Sequence, residues 1–248
     1  MSNGFKSLVR SVLPPILLDS YRRVRYTSQY EAAAALQRAR EAQLVLPSRA
    51  LLELFPGIEP VTVTMPVTQI DRPRDMVVPL AELLTLGAIA RHLRPQRIFE
   101  IGTYTGSSTL VMAMNTPAET ELTTLDYDTT EVVGSAYRGA PHASKIRQLH
   151  GDSRSYDYAP YLGQMDLVLV DANHTYEFVK TDSETAFRLL RPGGVIVWDD
   201  YRWLDIHAEC AGVTFCLNEL RATHAIFQIT GTRFAIYLDD ASGSHEEA

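Results

Sequence analysis

From Pro79 onward the apolar positions of this 248-residue chain alternate between two periods. In "LAELLTLGAIARHL", residues 80–93, they recur three and four apart, the spacing of a helix with one buried face. "RIFEIG", residues 97–102, is a short apolar run of the kind that makes a buried strand. The alternation continues with "SSTLVMAMN" (107–115) as a helix, "ELTTLDYD" (121–128) as strand two, "TEVVGSAYRGA" (130–140) as a helix and "IRQLHGD" (146–152) as strand three. "DLVLVDA" (166–172) follows as strand four, "EFVKTDSETAFRLL" (177–190) as a helix and "GVIVWDD" (194–200) as strand five. Strands alternating with helices predict an α/β fold, a Rossmann-like doubly wound sheet. "LVLV" and "VIV" lack polar alternation, which suits parallel strands covered on both faces. "HAIFQITGTRFAIYLDD" (224–240) reads as two strands joined at Thr230-Gly231-Thr232, a hairpin that adds an antiparallel element to the sheet.

The region before Pro79 has a different texture. Residues 16–45 are rich in strong helix formers and predict an N-terminal helical extension. Prolines at 47, 56, 60, 66, 73 and 79 mark a linker or lid, with "PVTVTMPV" as a short extended piece. The expected division is therefore 1–75 for the helical extension and linker, 76–240 for the catalytic α/β domain, and 241–248 for a polar, disordered tail.

Charge narrows the partners. The chain carries a formal −7, but residues 1–40 hold seven basic side chains against Asp19 and Glu31, so the remainder is −12. An acidic body argues against a nucleic-acid partner, since neutralising phosphates needs excess Lys and Arg. The basic N-terminal segment permits peripheral membrane contact; packing on the domain or on a second subunit, as a homo-oligomer, is the stronger expectation. Arg10, Pro14 and Pro15 interrupt the first apolar stretch before an export signal can form, and Cys210 and Cys216 make no disulfide framework, so a cytoplasmic protein is expected.

The candidate chemistry stands at the strand ends, where open parallel sheets bind ligands. Strand one ends in Glu100 and the turn Gly102-Thr103-Tyr104-Thr105-Gly106-Ser107-Ser108. No Lys-Ser or Lys-Thr pair follows the glycines, which excludes a phosphate loop, and the dinucleotide pattern lacks its middle glycine. Asp126 at the end of strand two is placed to accept ribose hydroxyls, and Asp152 and Ser153 at the end of strand three to meet an adenine edge. No strand end offers arginines for a phosphate, so the ligand expected is a nucleoside without one.

In order and spacing these segments resemble the class I S-adenosylmethionine-dependent methyltransferases: "FEIGTYTGSS" their first motif, "TTLDYD" their ribose-binding acid, "HGDS" their adenine-side motif, and "LLRPGGVIVWDDY" their strand-five segment. The resemblance implies a cofactor site of Glu100, Gly102, Thr103, Tyr104, Gly106, Ser107, Ser108, Asp126, Asp152, Ser153 and Asp171. Gly102 and Gly106 would let the backbone approach the amino-acid part and sulfonium of S-adenosylmethionine.

Asp171 ends strand four, and Asp199 and Asp200 end strand five. If those strands are neighbours the three carboxylates converge, and hard oxygen donors without cysteine suit Mg²⁺, Mn²⁺ or Ca²⁺. The pattern is similar to the metal-dependent catechol and caffeoyl-coenzyme A O-methyltransferases and to the deoxysugar O-methyltransferases, with Asp200 where the catechol group usually has Asn. His174 falls where the catechol enzymes place a catalytic lysine; as a neutral imidazole it can take a proton from an acceptor hydroxyl. The expected function is a divalent-metal-assisted O-methyltransferase acting on a small hydroxylated molecule, sugar- or phenol-like, with His174 and Asp171 as catalytic residues. The alternatives are a metal-independent methyltransferase, an NAD-dependent oxidoreductase, and a binding module that keeps the cofactor without turnover. His207 is a further candidate near the substrate.

Overall fold

A computed structural model of the chain describes residues 46–58, 61–66, 78–202 and 210–239. The N-terminal helical extension, residues 67–77, His207 and the polar tail lie outside the described residues.

Eight strands form one mixed sheet: β1 (Ser48–Arg49), β2 (Arg97–Ile101), β3 (Glu121–Asp126), β4 (Ile146–His150), β5 (Met165–Val170), β6 (Leu190–Trp198), β7 (Ile226–Ile229) and β8 (Ala235–Leu238). Their spatial order is β1-β7-β8-β6-β5-β2-β3-β4. The five strands from β4 to β6 are mutually parallel, while β8 runs antiparallel to both β6 and β7. The sequence-predicted architecture, parallel sheet plus C-terminal hairpin, is what the chain adopts. Among the described residues the α-helices are α1 (Leu51–Leu54), α2 (Leu80–Leu93), α3 (Ser107–Met114), α4 (Tyr176–Leu189) and α5 (Ala211–Leu220).

Each face of the sheet carries its own core. Leu86, Ile89 and Ala90 of α2 and Met112 and Ala113 of α3 pack with Ile98, Leu122, Leu167 and Val197 on one face. Val179, Ala186 and Leu189 of α4 and Val213, Cys216 and Leu217 of α5 pack with Phe99, Val168, Ile196 and Trp198 on the other. Adjacent residues such as Ile98 and Phe99 thus feed opposite cores, the period-two consequence of strand geometry, and this explains the apolar run from Leu167 to Val170 in β5.

Two expectations are corrected. Residues 130–140 form successive turns, not a helix. Two of their N–H groups are spent on the glycine turn, Gly134 donating to the Tyr104 carbonyl and Ala136 to that of Thr105, both at 2.8 Å, and Gly134 takes φ +71°. Residues 46–58 are more than linker: β1 pairs with β7, and Leu46, Phe55 and Ile58 are buried in the cores. Residues 61–66 join no strand, although Asn115 mimics a strand partner by bonding the Thr64 N–H and C=O, both at 2.7 Å.

Candidate active site

Strand register brings the predicted residues into one row. Ile101 is level with Leu125 on one side and Val170 on the other, and Val170 is level with Trp198. The residues immediately following, Gly102, Asp126, Asp171 and Asp199, therefore line the carboxyl edge of the sheet. Backbone bonds extend the ladder one step past the strands, from Gly102 to Leu125 and from Asp171 to Ile101, both 2.8 Å, and from Asp199 to Val170 at 3.1 Å.

The glycine turn is held mainly from within. Gly102 takes φ +101°, and a Cβ there would stand 2.0 Å from the Asp171 carbonyl oxygen. Gly106 takes φ +78°, and its Cβ would stand 2.4 Å from the Tyr137 ring. Both glycines are thus demanded by the protein's own packing as well as by positive φ. Asp126 Oδ2 accepts the N–H groups of Thr103 (2.9 Å) and Tyr104 (2.7 Å), and Oδ1 that of Asp128 (2.8 Å), so the predicted ribose acceptor also pins the turn.

Glu100 differs from its assignment. Its side chain is 1% exposed and accepts bonds from the Thr109 and Thr124 hydroxyls, so it supports the turn from beneath; burial pushes its pKa up to about 7. Thr103, Ser107 and Ser108 are buried too, Thr103 bonding Thr124 at 2.7 Å. Of the assigned turn residues, Gly102 and Tyr104 line the cavity beyond it.

That cavity has a volume of about 470 Å³ and also exposes Asp126, Asp152, Ser153 and Asp171. It is the size of a small-molecule site. Arg154 lines it as well, which corrects the expectation that no arginine stands at a strand end. Its charge is already matched: the guanidinium lies 2.7 Å from Asp152 and 4.0 Å from the centre of the Phe178 ring. Bonding to Arg154 holds the Asp152 carboxyl down to about 2. One helical turn beyond Phe178, Asp182 is wholly buried with neither carboxylate oxygen in good hydrogen-bond geometry, and burial lifts its pKa to about 6 against the lowering contact with Ser153.

Beside the cavity the predicted acid cluster is real. Asp171, Asp199 and Asp200 each bring a carboxylate oxygen to within 4.8 Å of the others. Burial, then mutual repulsion, pushes Asp171 and Asp199 well above the usual carboxylate range. Asp200 holds φ +63°, rare for a residue with a side chain. Its Oδ2 lies 2.9 Å from His174 Nε2 and 3.9 Å from Cys210 Sγ, so the imidazole stands against the acid cluster. Its Oδ1 lies 2.8 Å from Arg233 Nη1, but the N–H is not aligned on it, leaving a buried oxygen without a hydrogen-bond partner among the described residues.

Arg233 and its partner Glu82, Asp182, and Arg154 with Phe178 at the cavity are not evident from the sequence pattern. Arg233 follows the hairpin turn, a lone charge ahead of the apolar Phe234. Glu82 and Asp182 fall on the buried faces of α2 and α4, where a charge out of phase with the polar stripe was the available signal.

These buried carboxylates make a testable pH dependence. Glu100 and Asp182 have folded pKa values raised above their unfolded ones, so their stabilising contribution is full below the unfolded values near pH 4 and is lost as pH rises through about 6 to 7. Protein stripped of divalent cations should therefore melt higher at pH 5.5 than at pH 8. Asp182→Asn should recover up to about 3 kcal/mol at pH 8, the free-energy equivalent of a carboxyl raised to about 6. Equal melting temperatures at both pH values, with no gain from the substitution, would contradict this.

The strand order, the antiparallel hairpin and the ligand cavity at the carboxyl edge define a class I methyltransferase fold. Residues 99–201 match a protein family described as a methyltransferase domain. A caffeoyl-CoA O-methyltransferase of Stellaria longipes is 30% identical over 132 residues, 50% of this chain and 54% of that protein, so the match spans about half of the curated relative. The solved structure of cofactor-bound Rv0187 from MTB is similar over 68% of this chain and 84% of its own, at 26% identity and TM-score 0.55. The O-methyltransferase TomG of Streptomyces achromogenes, solved with SAM and involved in tomaymycin synthesis, shares the fold over 80% of this chain and 93% of its own, at 24% identity and TM-score 0.53. Residues 99–201 are thus similar to a methyltransferase domain, and the described fold is the one these solved structures share. Within that fold, the chain is similar to O-methyltransferases of the caffeoyl-CoA type.

Proposed function

We propose that the protein is an S-adenosylmethionine-dependent O-methyltransferase that methylates a hydroxyl of a small sugar- or phenol-like molecule with a divalent cation at Asp171, Asp199 and Asp200. The observation that carries this reading is that Asp171 belongs both to the wall of the nucleoside-sized cavity and to the acid cluster. A methyl donor in the one and a hydroxyl at the other would meet at that residue.

The donor set fits a cation. Glu82, Asp199 and Asp200 meet the Arg233 guanidinium and Asp171 stands within the same cluster, so carboxylates outnumber the cationic group beside them, and Asp200 Oδ1 has no N–H aligned on it. All the ligating atoms are carboxylate oxygens, which favours Mg²⁺ or Mn²⁺ over zinc. When bound, S-adenosylmethionine supplies an electrophilic methyl group and the cation supplies Lewis acidity that eases loss of the hydroxyl proton.

The chain's own groups do the rest. Asp126 and Ser153 hold the nucleoside, and Asp171 fixes the distance between the two halves of the site. His174 receives the acceptor proton while Asp200, beside its Nε2, steadies the positive charge that forms. With S-adenosylmethionine bound, the acceptor oxygen would take its methyl group as the carbon–sulfur bond breaks with the electron pair left on sulfur, and S-adenosylhomocysteine would leave. A metal-independent reaction has one observation in its favour, the guanidinium already beside Asp199 and Asp200. Chelation separates the two: activity should vanish with chelator and return with Mg²⁺ or Mn²⁺, whereas full turnover by metal-stripped protein would favour the metal-independent form.

A further inference from the structure

Arg233 sits at the junction of three elements. Its backbone N–H and Nε both reach Glu82 Oε1, at 2.8 and 2.9 Å, and Nη2 reaches Oε2 at 2.8 Å. Glu82 lies in the first turn of α2 and is 3% exposed, so α2 offers the guanidinium a fixed, two-pronged seat of the kind only arginine can fill. The opposite edge of the same plane faces the acid cluster, with Nη1 2.8 Å from Asp200 Oδ1 and Nη2 3.6 Å from Asp199 Oδ2. The Arg233 carbonyl accepts the Tyr201 N–H at 2.8 Å, which braces the backbone just after Asp200. Asp200 keeps its left-handed conformation between these two holds, and such a conformation persists only where surrounding structure enforces it.

We propose that Glu82 and Arg233 are positioning residues for the divalent-cation site: α2 seats the guanidinium, and the seated guanidinium sets where Asp199 and Asp200 present their oxygens. The inference rests on the reading of the acid cluster as a cation site and extends it to α2, which does not line the cofactor cavity. Its physical content is directional. A bare positive charge near three carboxylates would oppose a cation, whereas a guanidinium locked by Glu82 through Nε and Nη2 meets Asp200 through Nη1 at 2.8 Å and keeps Nη2 3.6 Å from Asp199. Loss of the lock would let the arginine turn fully onto Asp199 and Asp200 and compete with the cation.

Two variants test this at defined charge. Arg233→Lys keeps the positive charge and both backbone contacts but loses the fork; Glu82→Gln keeps the shape of the seat but loses its charge. Calorimetric titration of the full chain with Mn²⁺, in the presence of S-adenosylhomocysteine, should show each variant binding the cation roughly ten- to a hundred-fold more weakly than wild type, the usual scale for a residue that orients metal ligands. S-adenosylhomocysteine affinity should stay at the wild-type value. Manganese affinity within about two-fold of wild type in both variants would overturn the positioning role. A parallel loss of S-adenosylhomocysteine binding would also overturn it, by making the pair a general stability device. If Arg233→Lys fails to fold, Glu82→Gln carries the same comparison alone. Wild-type protein that binds no divalent cation would instead sink the cation reading itself, a failure distinct from unchanged variants.

Discussion

Alanine at Asp171 is expected to lower methyl transfer by at least about a thousand-fold, the order of effect that follows from losing several kcal/mol of cation-derived charge stabilisation. The reason is position. Asp171 follows β5, where its backbone N–H is tied to Ile101 at 2.8 Å, so its carboxylate cannot be replaced by movement of a neighbour. It is also the member of the acid cluster that lines the nucleoside-sized cavity, so its loss separates the two halves of the site. Asp200→Asn should be milder, because the amide keeps an oxygen toward the cluster and sheds one negative charge from a crowded site. Steady-state kinetics with added Mg²⁺ check both. An Asp171→Ala variant that turns over like wild type would remove the acid cluster from the mechanism.

The second large effect is at His174. Its replacement by alanine should cut kcat by roughly a hundred- to ten-thousand-fold, the usual worth of a general base. Affinities for S-adenosylhomocysteine and for Mn²⁺ should remain near wild type, since the base acts on a proton that moves only in the transition state. Raising the pH should shrink the difference, because the acceptor hydroxyl then ionises with less help. Calorimetry beside the kinetics makes the result decisive. A loss of Mn²⁺ affinity would make the imidazole a ligand, and unchanged kcat would make it a bystander.

Much of this site was legible in the sequence because the sheet is parallel and its edge is ordered by register. Once "RIFEIG", "ELTTLD", "MDLVLV" and "GVIVW" are recognised as strands, the residue after each apolar run falls on the ligand-binding edge, and Gly102, Asp126, Asp171 and Asp199 follow without knowledge of the fold's details. The charge partners were less legible, since they come from elements remote in sequence: Arg233 reaches Glu82 across 151 positions. No local spacing encodes such a pair. The helix predicted over 130–140 failed for a related reason. Its composition suits a helix, but its backbone donors serve Tyr104 and Thr105, and tertiary demand overrides propensity. Glu100 was assigned to the cofactor from its place at a strand end, yet strand alternation turns it inward to Thr109 and Thr124 while Gly102 and Tyr104 meet the cavity.

The assignment to methyl transfer depends above all on what enters the cavity between Gly102, Asp126 and Asp171. Parallel calorimetric titrations of the wild-type chain with S-adenosylhomocysteine and with NAD test this directly. The account predicts saturable binding of S-adenosylhomocysteine at one site per chain, weakened by Asp126→Ala, and no measurable heat with NAD. Saturable binding of NAD by a protein that ignores S-adenosylhomocysteine would contradict it.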